Sequence, residues 1–111
     1  GKYVLVDFWA TWCGPCKREM PNVKALYEKY KAKGVEVVGV SLDEDVEDLK
    51  AYIEENQIPW TTLNGEEASN TAKEYGVRGI PTFMLIDPQG KILGVGHAVA
   101  PLEAQLAKLV K

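Results

Sequence analysis

The sequence predicts an α/β fold, a mixed central sheet with helices on both faces. Three observations carry that reading. Dense β-branched and aromatic runs at 3–9 and 35–42 flank a long stretch of helical periodicity. An antiparallel hairpin is written into 82–95 around Asp87-Pro88-Gln89-Gly90. The chain has 111 residues, 46% apolar and 26% charged, the size and composition of one globular domain over 1–111.

The first run, Tyr3-Val4-Leu5-Val6-Asp7-Phe8-Trp9, reads as a buried strand. Because it follows Gly1-Lys2 at once, a trimmed N-terminal extension is expected. A helix over 14–32 comes next, turning Cys16, Glu19 or Met20, Val23, Leu26 or Tyr27, and Tyr30 inward. Pro21 should kink it without ending it, and Gly34 should stop it. Residues 35–42 form a second buried strand.

Residues 43–75 hold an inserted helix, strand and helix. Val46, Leu49, Ile53 and Asn56 mark the first helical face, and the acids from Asp43 to Asp48 crowd its start, where the helix dipole favours them. Pro59-Trp60-Thr61-Thr62-Leu63 is a short strand, and 66–75 a second helix closed by Gly76. Strands at 82–86 and 91–95 make the hairpin. Pro101 opens the last helix as its first residue, with Leu102, Leu106, Leu109 and Val110 inward.

Thirteen basic and sixteen acidic side chains leave a net charge of −3. That balance gives no electrostatic reason to expect nucleic acid or anionic lipid as a partner. No apolar run approaches the roughly 20 residues of a membrane span. Two cysteines rule out a disulfide-rich scaffold, yet their placement is informative. Trp12-Cys13-Gly14-Pro15-Cys16 lies where the first strand hands over to the first helix. Unpaired N–H groups and partial positive charge at a helix N-terminus stabilise a thiolate over a thiol. Cys13 is then the exposed nucleophile, and Cys16, one turn inside, the shielded partner that acts second. A fall of one to two units from about 8.5 lifts the thiolate fraction at pH 7 from about 3% to between roughly a quarter and three quarters.

Asp7 interrupts an apolar strand. Either desolvation raises its pKa and makes it a proton acceptor near neutral pH, or it is a strand-edge acid facing water. Two inert core cysteines, or half of a zinc site completed by His97, are the competing readings of the pair; structural zinc asks for four ligands. The acids at 43–48 could hold calcium, but a solvated helix start explains them with less. His97, after Gly96, has no partner nameable from sequence. Trp9 and Trp60 are assigned to packing.

The segment 6–17, Val-Asp-Phe-Trp-Ala-Thr-Trp-Cys-Gly-Pro-Cys-Lys, resembles the active-site segment of the thioredoxin superfamily. Gly79-Ile80-Pro81-Thr82-Phe83 resembles that family's second signature, a loop ending in a cis-proline. The similarity runs from Lys2 to the last helix. Lys17-Arg18-Glu19-Met20-Pro21 and the insertion before Gly79 are similar to the TlpA/ResA-like thiol-disulfide oxidoreductases. Ordinary thioredoxins are more compact there and usually carry a lysine where this chain has Gly39. TlpA/ResA-like proteins usually add an N-terminal hairpin, which is missing here.

The resemblance implies a thioredoxin fold and a protein-disulfide reductase with a redox-active Cys13–Cys16 disulfide. Asp7 matches the buried acid that takes the proton of the second cysteine, and Glu19 matches an acid that tunes the pair. The alternative for Glu19 is a helix-surface glutamate. Trp12, Gly14, Pro15, Ile80 and Pro81 correspond to a substrate groove, with Ile80 backbone pairing an added strand; for Trp12 the alternative is core packing. Gly14-Pro15 matches reducing members, so a potential nearer about −270 mV than about −120 mV is expected. The implied partners are a disulfide-containing protein substrate and an external reductant, either a thioredoxin reductase or a membrane thiol carrier. No bound cofactor is expected, a monomer is expected for so small a redox domain, and the resemblance implies an extracytoplasmic compartment in a bacterium, periplasmic or membrane-anchored. The rival function is a copper- or zinc-handling module using Cys13, Cys16 and His97. A peroxidase fails on pattern, because Thr11 lies two residues before Cys13 and that chemistry places its threonine three before.

Overall fold

The computed structural model describes residues 2–110. Gly1 and Lys111, the ends of the expected domain, lie outside the described residues. The elements in chain order are β1 (Tyr3–Trp9), α1 (Gly14–Tyr30), β2 (Val35–Ser41), α2 (Val46–Glu55), β3 (Thr61–Leu63), α3 (Gly65–Glu74), β4 (Thr82–Ile86), β5 (Ile92–Gly96) and α4 (Val99–Leu109). Five strands form one sheet in the order β3-β2-β1-β4-β5. β2 runs parallel to β1 and to β3, whereas β4 is antiparallel to both β1 and β5.

The central strand explains the layering. Along β1, side chains alternate between faces. Leu5 and Trp9 join Cys16, Met20, Val23 and Leu26 of α1, Leu49 of α2, and Val99, Leu102 and Leu106 of α4 in one core. Val6 and Phe8 join Ala68 and Ala72 of α3 in the other. Three helices therefore cover one face and α3 the opposite one. Trp9 packs its ring on Tyr52 at 5.3 Å and Trp60 on Tyr27 at 5.5 Å, so both indoles serve the core.

Departures from the sequence reading have local causes. α1 runs through Pro21 and gives way to a 3₁₀ turn at Lys31–Lys33, closed by Gly34 in the left-handed region at φ +83. β5 starts one residue later than expected, where the β4–β5 register shifts at Leu85/Ile86. The hairpin turn is held by Asp87 Oδ1, which accepts the amides of Gln89 and Lys91. α3 starts and ends one residue early. α4 begins at Val99, two residues ahead of Pro101; a proline is tolerated there because first-turn amides lack helical acceptors anyway. Leu109, expected inward, is 46% exposed in the last turn of α4, and Val110 is half-buried.

Candidate active site

Cys13 is the N-cap of α1, Gly14 its first residue, and Pro15 sits where no N–H is needed. Cys13 and Cys16 are joined in a disulfide, with Cα atoms 5.2 Å apart. The Cys16 backbone N–H donates to Cys13 Sγ at 3.2 Å, so the helix N-terminus points at the leading sulfur. The expected exposed nucleophile needs correction for this form. Cys13 is only 5% exposed against 2% for Cys16, because its sulfur turns inward to the bond and to the helix end. Trp12 is 67% exposed, which removes core packing as its role.

The 79–81 loop shares a groove with Trp12, the residue before Cys13. The Ile80–Pro81 peptide bond is cis. Thr82 Oγ1 donates to the Gly79 carbonyl at 2.6 Å, bracing the loop from the first residue of β4. Trp12, Leu42, Val77, Arg78, Gly79 and Ile80 line a groove between this loop and the cysteine motif.

Beneath the helix lies Asp7, on the Leu5–Trp9 face of the sheet and 2% exposed. The strand-edge alternative is thereby excluded. Burial pushes its pKa up to about 8, and the negative charge of Glu19 pushes in the same direction. Its register partner on β2 is Gly39, which brings no cation to offset the cost of ionisation. Gly39 also has a packing reason: a Cβ there would lie 3.1 Å from both Trp9 Nε1 and Thr62 Oγ1. Asp7 Oδ1, Trp9 Nε1 and Thr62 Oγ1 are all buried without a hydrogen-bond partner among the described residues. Tyr52 feels the same environment, its pKa raised by burial and then by Asp7.

Glu19 is half-buried, not on an open helix surface, and it makes contacts that the sequence does not indicate. Its Oε1 accepts the Val99 amide at 3.0 Å and the Asn22 side-chain amide at 3.3 Å. Ala98, the N-cap of α4, has no side-chain acceptor of its own, so a residue from α1 caps this helix. His97, for which the sequence offered no partner, has Nδ1 2.8 Å from the Pro81 carbonyl oxygen. Asp43 is the third residue the sequence undersold. It is buried, accepts the Thr11 amide and hydroxyl and the Ser41 hydroxyl, and so pins the loop leading into Cys13. Of the acids at 43–48, Asp45 is the N-cap of α2, accepting the amides of Glu47 and Asp48. Local sequence carried a signal only for Asp45.

A family model described as Thioredoxin-like matches residues 1–92. This chain belongs to the thioredoxin-like family. Among relatives of this thioredoxin-like chain is the thiol-disulfide oxidoreductase ResA of Bacillus thuringiensis subsp. konkukian, 39% identical over 84% of the chain and 53% of the relative. The thiol:disulfide interchange protein HelX of Rhodobacter capsulatus is 34% identical over 84% of the chain and 51% of the relative. The chain spans about half the length of the curated relatives it matches. The thioredoxin domain of a thiol-disulfide oxidoreductase from Bacteroides vulgatus superposes with a TM-score of 0.89 and 36% identity, over the whole of this chain and 81% of that one. The thioredoxin fold and the TlpA/ResA-like resemblance are thus both borne out.

Proposed function

We propose that this domain is a thiol-disulfide oxidoreductase that reduces protein disulfides. The observation that carries the reading is the Cys13–Cys16 disulfide at the α1 N-terminus, with the Cys16 N–H aimed at Cys13 Sγ. In the reduced form that N–H and the helix end favour a Cys13 thiolate. The thiolate attacks one sulfur of a substrate disulfide; a mixed disulfide forms, and the other substrate sulfur leaves as a thiolate. Cys16 then gives its proton to Asp7 and attacks Cys13 Sγ. The mixed bond breaks, the substrate leaves reduced, and the internal disulfide closes.

Asp7 suits that step because its pKa of about 8 lies near that of an ordinary thiol, so the proton moves with little energetic bias. Glu19 contributes through its charge on Asp7. Trp12 and Ile80 of the groove, with Gly14, Pro15 and Pro81 beside them in the chain, are assigned to receiving the substrate chain, which pairs with Ile80 backbone. An external thiol reductant, a thioredoxin reductase or a membrane thiol carrier, restores the dithiol, and no bound cofactor takes part. The same proposal assigns a monomer, from the small size of the domain, acting outside the bacterial cytoplasm, on the strength of the ResA-like resemblance. Among the described residues no helix is long and apolar enough to cross a membrane.

The metal-handling alternative needs Cys13, Cys16 and His97 at one centre. Among the described residues no three His, Cys, Asp or Glu side chains are gathered in that way, and His97 Nδ1 is engaged by Pro81. No observation favours it. A mixed-disulfide trap tests the oxidoreductase reading. Cys16→Ser should capture a substrate protein on Cys13, while Cys13→Ser captures none; the opposite pattern reverses the roles.

A further inference from the structure

The two halves of the candidate site belong to different parts of the chain. The cysteines ride on α1, and the groove's other wall is the 79–81 loop. Residues 97–99 touch both. The β4–β5 ladder ends at the Phe83–Gly96 pair. One step further on, the His97 side chain takes over from the backbone and meets the Pro81 carbonyl at 2.8 Å. A carbonyl oxygen can only accept, so Nδ1 donates and carries the proton. Two residues later the Val99 amide, in the first turn of α4, donates to Glu19, one helical turn past Cys16. Glu19, Val99, His97 and Pro81 thus form a strap from the cysteine helix to the proline loop.

Apart from its bond to Pro81, His97 lines an open cavity with Tyr75, Met84, Ile92 and Val95. Its side chain is exposed, and Gly96 and Ala98 on either side contribute no packing bulk. The Pro81 carbonyl follows directly after the Ile80 backbone, to which the proposed mechanism assigns substrate pairing.

We propose that His97 is a positioning residue for disulfide exchange: its bond to Pro81 fixes the Ile80–Pro81 backbone for pairing with an extended protein substrate. This rests on the oxidoreductase reading and deepens it. A small disulfide makes no strand pairing, so only protein substrates should sense the strap. Loss of one hydrogen bond of this type corresponds to roughly a fivefold change in binding.

The test compares wild type, His97→Ala and His97→Asn on insulin and on 5,5′-dithiobis(2-nitrobenzoate). We expect His97→Ala to raise KM for insulin about fivefold, with kcat and the rate on the small disulfide within about twofold of wild type. His97→Asn should restore KM, since its amide can donate from near the Nδ1 position. An unchanged KM, an equal loss on both substrates, or no rescue by asparagine overturns the role. A wild-type domain that reduces neither disulfide overturns the oxidoreductase reading itself, and the inference with it.

Discussion

Replacing Asp7 by asparagine should make the protein more stable and less active, and the stability gain should grow with pH. The sign follows from linkage. The Asp7 pKa is about 8 in the folded chain against 3.8 for a free side chain. A raised folded pKa contributes stability that is fully present below about 4 and is lost as pH rises towards 8. At roughly 1.4 kcal/mol per unit, the wild type forfeits at most about 4 kcal/mol at pH 7 and about 6 kcal/mol at pH 9 through this one group. Asparagine has nearly the shape of the protonated acid and cannot ionise, so it recovers that loss. Burial is the larger cause of the shift, and at 2% exposure solvent screening does little to reduce it. Urea unfolding of both disulfide forms from pH 5 to 9 isolates the effect, because titrating groups that are not coupled to Asp7 cancel in the difference. The gap between the two stability curves should be about 2 kcal/mol at pH 5, widen by about 1.4 kcal/mol per unit up to about pH 8, and level off above it. Parallel curves would refute the reasoning. In turnover the same variant should be slow in the second exchange, and its rate should lack the rise through about pH 8 expected of the wild type.

Other expectations are as direct. Glu19→Gln keeps an oxygen for the Val99 amide but removes the charge acting on Asp7, so the Asp7 carboxyl should titrate below its wild-type midpoint in a carbon-detected NMR titration. Asp43→Ala leaves the part-buried Thr11 amide and hydroxyl and the buried Ser41 hydroxyl proton without an acceptor, and denaturant unfolding should register a loss of about 2–4 kcal/mol. Trp12→Ala, at an exposed position, should change stability by less than about 0.5 kcal/mol while raising KM for a protein disulfide. Equilibration with glutathione or dithiothreitol buffers should give a potential nearer about −270 mV; a value above about −180 mV would assign the domain to the oxidants or isomerases.

Much of this was legible along the chain because it depends on neighbours in sequence. The alternation in Tyr3–Trp9, the helical spacing from Cys16 to Tyr30 and the Asp87–Gly90 turn are local patterns, and the structure has them within a residue or two. Asp7 stood out as an acid in an apolar run, which is why its burial could be read in advance. The rest turned on partners far away in sequence. Glu19 caps a helix 80 residues downstream, Asp43 reaches back 32 residues to Thr11, and His97 reaches back 16 to Pro81. The start of α4 was misread for the same reason: its cap comes from another helix, and Ala98 gives no sign of it. No local pattern encodes such pairings; only the sheet order brings them together.

The central claim is that the α1 N-terminus makes Cys13 the acidic, attacking sulfur and leaves Cys16 to complete the exchange. Iodoacetamide labelling of the reduced protein against pH, with each site mapped by mass spectrometry, tests it most directly. The account predicts that Cys13 reacts first, with a midpoint below the ordinary thiol value of about 8.5. Alkylation of Cys16 first, or of neither faster than free cysteine at neutral pH, would contradict it.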